Sequence, residues 1–296
     1  MVEDRAHGEA RPCPICGSPA SAAGGKRGRR TGRVFLLSKC GQCGFAFVEK
    51  PWTDFSRIYD GEYYKGRGSD PRVDYEFEFN NPGKTVRAYE WAGIERAVRS
   101  LSPGHGKWLD YGSGNGGLVR HLRSAGHREA YGFDEGAWSA TARAAGIPIL
   151  DRDGLEGHAG TFDVITAIEV LEHLVDPLDA LRRLRRMARP GALLFVTTGN
   201  AARAPRELCD WRYVEPEIHV SYFTPRSLAL AMKASGFEAF QPGRVPGWTE
   251  IIRFKVLKNL GVRRTGFLEK LFPWPAITPL LDRWYGLSGQ PAGRAV

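Results

Sequence analysis

The sequence of 296 residues lacks any run of about 18 apolar residues, the length that a membrane-spanning helix requires. Its first 12 residues, MVEDRAHGEARP, also lack the apolar stretch that forms the centre of a secretory signal. The first absence excludes a transmembrane helix. The second leads us to expect a protein of the reducing cytoplasm. The sequence contains no internal repeat either.

Cysteine is scarce, with five in the chain, but four of the five form two short pairs. The pairs are CPIC (Cys13, Cys16) and CGQC (Cys40, Cys43). Four thiolates at this spacing can surround one point, which suits tetrahedral Zn²⁺. Two disulfides or a redox pair would use the same residues, but a reducing compartment disfavours disulfides. We therefore expect a structural zinc ribbon over residues 1–50, whose metal has no open catalytic position.

Acidic residues are few at the two ends of the chain, and the net charge of +9 is concentrated there. Residues 1–50 contain nine Lys and Arg against four Asp and Glu, and residues 252–296 contain eight against two. The residues between them contain 25 against 27. The central part of the chain therefore lacks the positive charge expected of a surface that binds a nucleic-acid backbone.

Strand-like and helix-like segments alternate through the middle of the chain. The strand-like segments are KWLDYG, AYGFD, IPIL, FDVITAIEV, ALLFVTT and FEAFQ, and helical patterns lie between them. This alternation predicts an open, mostly parallel α/β sheet with helices on both faces. We expect an aromatic connector at 51–90, the α/β core at 91–260, and a terminal cap at 261–296.

The segment WLDYGSGNGG places a glycine-rich loop directly after the first core strand. Gly112, Gly114 and Gly117 satisfy the pattern G-x-G-x-x-G, which serves dinucleotide enzymes and S-adenosylmethionine (SAM) enzymes alike. Asp134 ends the next strand, where a carboxylate can bind both ribose hydroxyls. Asp110 faces the loop, where it would repel a pyrophosphate but can accept the ammonium group of a methionine moiety. The position of Asp110 favours SAM.

Three successive motifs, LDYGSGNG, YGFDEG and FDVITAIEVLEHLVDP, resemble those of class I SAM-dependent methyltransferases over residues 105–240. The resemblance implies a Rossmann-like sheet of seven mostly parallel strands, with an antiparallel strand at 249–258 inserted beside the fifth. It also implies SAM as the cofactor. The residues implied to hold SAM are Asp110, Gly112, Gly114 and Gly116 at the methionine part, Asp134 at the ribose, Asp153 and Leu155 at the adenine, and Glu169 closing the pocket.

The order of motifs along the chain carries a narrower likeness. Two CxxC pairs, then IYDGEYY, the core and HVSYFTPRSLALAMKASGF are similar to bacterial zinc-ribbon methyltransferases of sugar and cell-surface polysaccharide pathways. This likeness implies a small-molecule acceptor that is a sugar, nucleotide-sugar or glycan intermediate. Ribosomal-RNA guanine methyltransferases also have an N-terminal zinc site, so an RNA acceptor is the alternative. The ribbon residues that would then bind RNA phosphates are Lys26, Arg27, Arg29, Arg30 and Arg33.

Methyl transfer to oxygen or carbon needs a base that removes the acceptor's proton. His219, in the loop after the fifth core strand, is our first candidate, with Glu217 as a possible helper. The alternative is that His219 only fixes the loop by hydrogen bonds. Sugar C-methyltransferases have a Glu where this chain has Ile218, so the sequence favours oxygen as the accepting atom. His173 is the second candidate, or else a structural residue beside the cofactor.

Several catalytic signatures are absent. No Asn-Pro-Pro-Tyr turn follows VITAIE, which disfavours methylation of an exocyclic amine or an amide. No Pro-Cys pair follows it either, which disfavours attack on a pyrimidine. Nothing in the sequence resembles a carboxylate set for catalytic Mg²⁺. The stretch GFLEKLFPWPAITPLLDRWYGL mixes large apolar residues with Lys and Arg, and we expect it either to cap the core or to contact a membrane surface.

Overall fold

A computed structural model describes residues 11–54, 62, 65–67, 73–104, 106–286 and 289–296. The strands are β1 (Arg11–Pro12), β2 (Pro19–Arg27), β3 (Val34–Cys40), β4 (Ala46–Val48), β5 (Trp108–Tyr111), β6 (Ala130–Phe133), β7 (Ile149–Leu150), β8 (Phe162–Ile168), β9 (Ala188–Thr197), β10 (Ser221–Tyr222), β11 (Phe237–Phe240) and β12 (Ala292–Ala295). The helices are α1 (Tyr75–Asn80), α2 (Arg87–Leu101), α3 (Gly117–Ser124), α4 (Trp138–Ala144), α5 (Arg152–Glu156), α6 (Pro177–Met187), α7 (Pro225–Ala234), α8 (Trp248–Asn259) and α9 (Trp274–Tyr285). Most of the IYDGEYY motif lies outside the described residues.

The core is a sheet of seven strands in the order β11-β12-β9-β8-β5-β6-β7. Its neighbouring strands pair in parallel except at β12, which is antiparallel to both β9 and β11. Successive residues of β5 show that helices cover both faces of the sheet. Leu109 packs with the side that contains α6 and α7, and Trp108 packs with the side that contains α2 and α8. The predicted fold, a mostly parallel sheet with helices on both faces, is confirmed.

The predicted antiparallel strand at 249–258 is wrong, because these residues lie in α8. The family resemblance implied a strand here, yet Trp248, Ile251 and Ile252 are buried at the spacing of one helical face. Helix α8 packs against α2 so closely that a Cβ on Gly93 would lie 2.7 Å from the Gly247 carbonyl oxygen. The antiparallel strand is β12, within the segment that we expected to be only a cap. Its expected place beside the fifth core strand, β9, is confirmed.

The cysteine-rich segment forms a second sheet in the order β1-β2-β3-β4-β10. Strand β10 comes from the loop after β9, and it pairs with β4 through Ser221 opposite Phe47 and Tyr222 opposite Ala46. Thr224, which caps α7, also donates its hydroxyl to the Cys43 carbonyl at 2.9 Å. The ribbon is thus built into the core rather than attached through a linker. This junction lies two residues after His219.

Candidate functional site

A cavity of about 1360 Å³ opens where β5, β6 and β8 end. Its lining includes Asp110 at the end of β5, Asp134 just after β6 and Glu169 just after β8. In an open parallel sheet, ligands bind at this edge. The volume exceeds the upper end of about 1,000 Å³ for pockets that hold one small molecule. The cavity therefore has room for a cofactor and an acceptor together.

The glycine loop follows β5 in a backbone conformation that other residues rarely adopt. Gly112, Gly114 and Gly116 have φ values of 75°, 55° and 75°. A Cβ on Gly112 would lie 2.4 Å from Val170 Cγ2, so this position is closed to larger residues. A Cβ on Gly114 would meet only the Tyr75 ring, at 3.6 Å, and Gly114 lines the cavity. The loop leaves room for a ligand at Gly114.

Two carboxylates lie against this loop. Asp134 accepts hydrogen bonds from the backbone N–H groups of Gly114 at 2.8 Å and Gly136 at 2.6 Å. Asp110 accepts a hydrogen bond from the Thr166 hydroxyl at 2.9 Å. Burial raises the pKa of Asp110 to about 7, and the negative charges of Asp134 and Glu90 add to the effect. A ligand that carries positive charge would relieve this concentration of carboxylates.

Glu169 is held in a strained backbone conformation, with φ of 54°. Its carboxylate pairs with Lys255 of α8, at 2.9 Å between Oε1 and Nζ. Burial alone would raise the pKa of Glu169, but the Lys255 ammonium outweighs it and lowers the pKa to about 2. Glu169 is therefore ionised within the cavity, and its charge is balanced by a residue of the helix that replaced the expected strand.

His219 and His173 lie side by side, with ring centroids 4.9 Å apart. His219 Nδ1 lies 2.7 Å from the Tyr213 carbonyl oxygen, and His173 Nδ1 lies 2.9 Å from the Ile218 carbonyl oxygen. Because a carbonyl only accepts, both Nδ1 atoms donate, and in the neutral rings the lone pair is on Nε2. Both histidines line the cavity. Each can therefore act as a base or as a metal ligand.

Glu172 lies below the two histidines and is fully buried. Its Oε1 accepts a hydrogen bond from the Tyr213 hydroxyl at 2.5 Å, while Oε2 makes no hydrogen bond among the described residues. Burial raises the pKa of Glu172 to about 8, and the nearby Glu169 carboxylate contributes. Three ligand atoms, one from each of Glu172, His173 and His219, lie within 4.8 Å of one another. These residues could therefore hold a divalent cation.

The ribbon cysteines form a second possible metal centre. The four Sγ atoms lie within 4.8 Å of one another, with Cys13 and Cys43 separated by 3.6 Å and Cys16 and Cys40 by 3.5 Å. Sulfur atoms around tetrahedral zinc are separated by about 3.8 Å, which follows from Zn–S bonds of about 2.3 Å. All four cysteines are free thiols. This donor set fits Zn²⁺.

Several arginines line the cavity, and one of them belongs to the ribbon. They include Arg29 of the ribbon, and Arg203, Arg212 and Arg283 of the core. Arg29 pairs with Glu215 at 3.1 Å. The ribbon hairpin also docks here through Lys26, whose Nζ donates to the Trp211 carbonyl at 3.1 Å. The expected helper of the base, Glu217, does not line the cavity, because its carboxylate accepts hydrogen bonds from Arg30 N and Thr31 N.

A family model described as a methyltransferase domain matches residues 86–241, more than half of the chain. The chain belongs to the SAM-dependent methyltransferases. The ubiquinone biosynthesis O-methyltransferase of Methylocella silvestris is 35% identical over 104 residues, which are 30% of this chain and 38% of that protein. The protein of the same name from Parvibaculum lavamentivorans is 34% identical over 187 residues, 60% of this chain and 65% of that protein.

The methyltransferase thus spans less than two thirds of the length of both relatives. Both are named for ubiquinone biosynthesis, so they lend no support to the predicted sugar pathway. Among solved structures, a phosphoethanolamine N-methyltransferase 2 from Haemonchus contortus, in complex with phosphomonomethylethanolamine and S-adenosylhomocysteine, has a TM-score of 0.50 and 16% identity. The aligned region covers 83% of this chain and 61% of the Haemonchus chain, and the likeness shows the fold alone.

Seven of the ten cofactor and catalytic residues predicted for this methyltransferase line the cavity. The seven are Asp110, Gly112, Gly114, Asp134, Glu169, His173 and His219. Gly116 instead packs towards Ile147, and Asp153 and Leu155 of α5 are not among the lining residues, so their roles stay predictions. Sequence reasoning missed Glu172, Tyr213 and Lys255. A signal existed only for Glu172, which stands beside His173, whereas the other two reach the cavity from distant elements.

Proposed function

We propose that this methyltransferase transfers the methyl group of SAM to a hydroxyl group of a small molecule, a sugar, nucleotide-sugar or glycan intermediate. The observation that carries the proposal is the orientation of His219. Its Nδ1 is engaged by the Tyr213 carbonyl, which assigns the lone pair to Nε2 in a cavity-lining side chain. The name O-methyltransferase on both relatives supports oxygen as the accepting atom.

The residues at the strand ends fit SAM. Asp110 would accept hydrogen bonds from the ammonium group of the methionine part of SAM. Gly114 would leave room for that methionine part, and Asp134 would bind the ribose. The raised pKa of Asp110, caused by burial and neighbouring carboxylates, is what a site for a cation would show before the cation binds. When bound, SAM supplies an electrophilic methyl carbon on a sulfonium.

His219 then acts as the general base. Its Nε2 would take the proton from the acceptor hydroxyl as that oxygen accepts the methyl group. The stacked Tyr213 ring, 4.3 Å from the imidazole between centroids, fixes the plane of the base. A cation held by Glu172, His173 and His219 would occupy the same lone pair and bind the hydroxyl directly instead.

The acceptor class is argued from charge. Arg203, Arg212 and Arg283 line the cavity and are exposed, and each guanidinium group carries a positive charge with several N–H donors. Such residues favour an acceptor that carries a phosphate or carboxylate, as nucleotide-sugars and glycan intermediates do. The RNA alternative has weaker support, because Lys26 and Arg29 of the basic hairpin are engaged within the protein.

The test uses SAM with a labelled methyl group, supplied with the protein to two fractions of a cell extract. One fraction contains RNA above a size cutoff, and the other contains small metabolites and nucleotide-sugars. We expect label in the small-molecule fraction, reduced by about 10²-fold or more in His219→Ala. The matched control is His158→Ala, a histidine that does not line the cavity. Label in RNA alone would overturn the proposal.

A further inference from the structure

The segment between α8 and α9 exposes large apolar side chains that nothing in the methyl-transfer site uses. Phe267 is 74% exposed, Leu271 is 65% exposed and Phe272 is 49% exposed. Leu260, at the end of α8, and Leu280, on α9, are 73% and 71% exposed. A single exposed leucine is ordinary, but three such residues within six positions form a patch that marks an interaction surface.

The backbone beneath this patch is anchored rather than loose. Glu269, between Phe267 and Leu271, accepts hydrogen bonds from Tyr89 Oη at 2.8 Å and from Arg253 Nε at 3.0 Å. Its carbonyl accepts a hydrogen bond from Trp274 Nε1 at 2.7 Å, and Trp274 is buried. These contacts fix the segment in the conformation that exposes Phe267, Leu271 and Phe272.

The charge around the patch is positive. Arg264 and Lys270 are exposed within the segment. The two acidic residues between 252 and 296 are Glu269, which is partly buried and pairs with Arg253, and Asp282, which is buried and pairs with Arg244. The surface therefore presents Phe and Leu together with Arg and Lys, without an exposed carboxylate from this stretch. This combination is typical of segments that lie in the interface of an anionic bilayer.

We propose that residues 260–280 dock this methyltransferase on a membrane surface that contains anionic lipids. The apolar side chains enter the headgroup region, and Arg264 and Lys270 pair with lipid phosphates. Lys258 and Asn259 line the cavity at the end of α8, directly before Leu260, so the cavity reaches the edge of the docked surface. Docking would bring the opening to acceptors that are anchored in the bilayer.

The experiment is flotation of the full chain with phosphatidylcholine vesicles, with and without phosphatidylglycerol. We expect binding to the vesicles with phosphatidylglycerol, weaker at raised salt because lipid and protein charges are then screened. Phe267→Ser with Leu271→Ser should lower the bound-to-free ratio by roughly tenfold or more, since two large apolar groups are removed from the interface. The matched control is Val34→Ser with Leu36→Ser, which removes two exposed apolar side chains from the ribbon.

Hydrogen exchange provides a measurement that needs no variant. Vesicles should slow exchange in residues 260–272 and leave the ribbon unchanged. No vesicle binding by the intact chain, equal binding to neutral vesicles, or equal loss in the control variant would overturn the proposal. So would a dimer that Phe267→Ser with Leu271→Ser disperses in the absence of vesicle binding. Calorimetry with S-adenosylhomocysteine keeps the two proposals apart, because a chain that binds it but not vesicles remains a methyltransferase.

Discussion

The Glu217 carboxylate accepts a hydrogen bond from the Thr31 backbone N–H at 2.7 Å, and this bond joins the tip of the ribbon hairpin to the loop that carries His219. A second bond, from Arg30 N, reinforces it at 3.1 Å. These bonds lower the pKa of Glu217, against the opposing effect of burial. The hairpin tip also carries Arg29 into the cavity lining. The ribbon therefore contributes to the cavity wall, on the side where we propose that the acceptor binds.

Glu217→Gln should impair use of the acceptor and leave cofactor binding intact. The amide is a weaker acceptor for the two backbone N–H groups, so the tip and Arg29 are held less firmly, and we expect KM for the acceptor to rise roughly tenfold. Steady-state kinetics measure this, and calorimetry with S-adenosylhomocysteine measures the cofactor site. Glu49→Gln is the control, a ribbon carboxylate that binds Ser38 and Arg11 away from the cavity. Equal effects of both variants would contradict the assignment.

Removal of metal from the cysteine centre should likewise impair use of the acceptor and leave cofactor binding intact. Strand β10 pairs with β4, and Thr224 donates to the Cys43 carbonyl, so collapse of the ribbon would release the His219 loop. A zinc-free sample, verified by metal analysis, should lose acceptor turnover and retain affinity for S-adenosylhomocysteine. Restoration of turnover by Zn²⁺ is the expected control. Full turnover without metal would contradict a structural zinc site in this ribbon.

The core sheet was largely predictable because its signals are local. Strand β8 reads as a continuous apolar run, and α6 has Asp176 as a side-chain cap with Pro177 at its first turn. The family resemblance placed a strand at 249–258, and the apolar residues there suit a buried strand as well as a buried helix. Only the packing of this segment on α2, far away in sequence, decides for a helix. Strand β12 is too short and too rich in small residues to be recognised alone.

The candidate site was predictable where function depends on one strand end and its loop. Asp110, Gly112 and Gly114 share one such loop, and they lie together as expected. Lys255 could not be found in this way, because it reaches Glu169 across 86 positions of sequence. The same holds for Glu217, whose partners in the ribbon hairpin could be identified only from the pairing of β10 with β4.

Lys255→Met should destabilise the fold. The Lys255 ammonium is largely buried, whereas the Glu169 side chain is 25% exposed and keeps the nearby charge of Lys258, so we expect a cost of about 1 to 3 kcal/mol. Thermal or urea unfolding measures the change. Lys255→Met combined with Glu169→Gln should recover most of the loss, because no buried charge then remains. Failure of the double variant to recover stability would show that the lysine contributes by packing.

Titration with Co²⁺ separates the two roles open to His219. A cation held by Glu172, His173 and His219, whose ligand atoms lie within 4.8 Å of one another, would occupy the lone pair that the base needs. We expect one equivalent with thiolate charge-transfer absorbance from the cysteines and no second equivalent, which leaves His219 as the base. A second equivalent that lacks this absorbance and is lost in His173→Ala would contradict the assignment of His219 as a base.

The affinity for SAM should depend on pH through Asp110. Burial raises the pKa of Asp110 to about 7 from its ordinary value of 3.8, and the ammonium group of SAM binds the ionised form. Affinity measured by calorimetry should therefore rise as pH increases through about 7 and then level off, with a proton released on binding below that pH.

The stability of the ligand-free chain should change with pH in the opposite direction. Because the pKa of Asp110 is higher in the folded chain than in the unfolded chain, its protonation stabilises the fold fully below the unfolded pKa of 3.8. That stabilisation is lost as pH rises through the folded pKa of about 7, so the ligand-free chain should melt at a lower temperature at pH 8 than at pH 5. Asp110→Asn should bind SAM more weakly and without this pH dependence, and it should flatten the change in melting temperature. An affinity of the native chain that stays constant from pH 5 to pH 8 would contradict the placement of the ammonium group at Asp110.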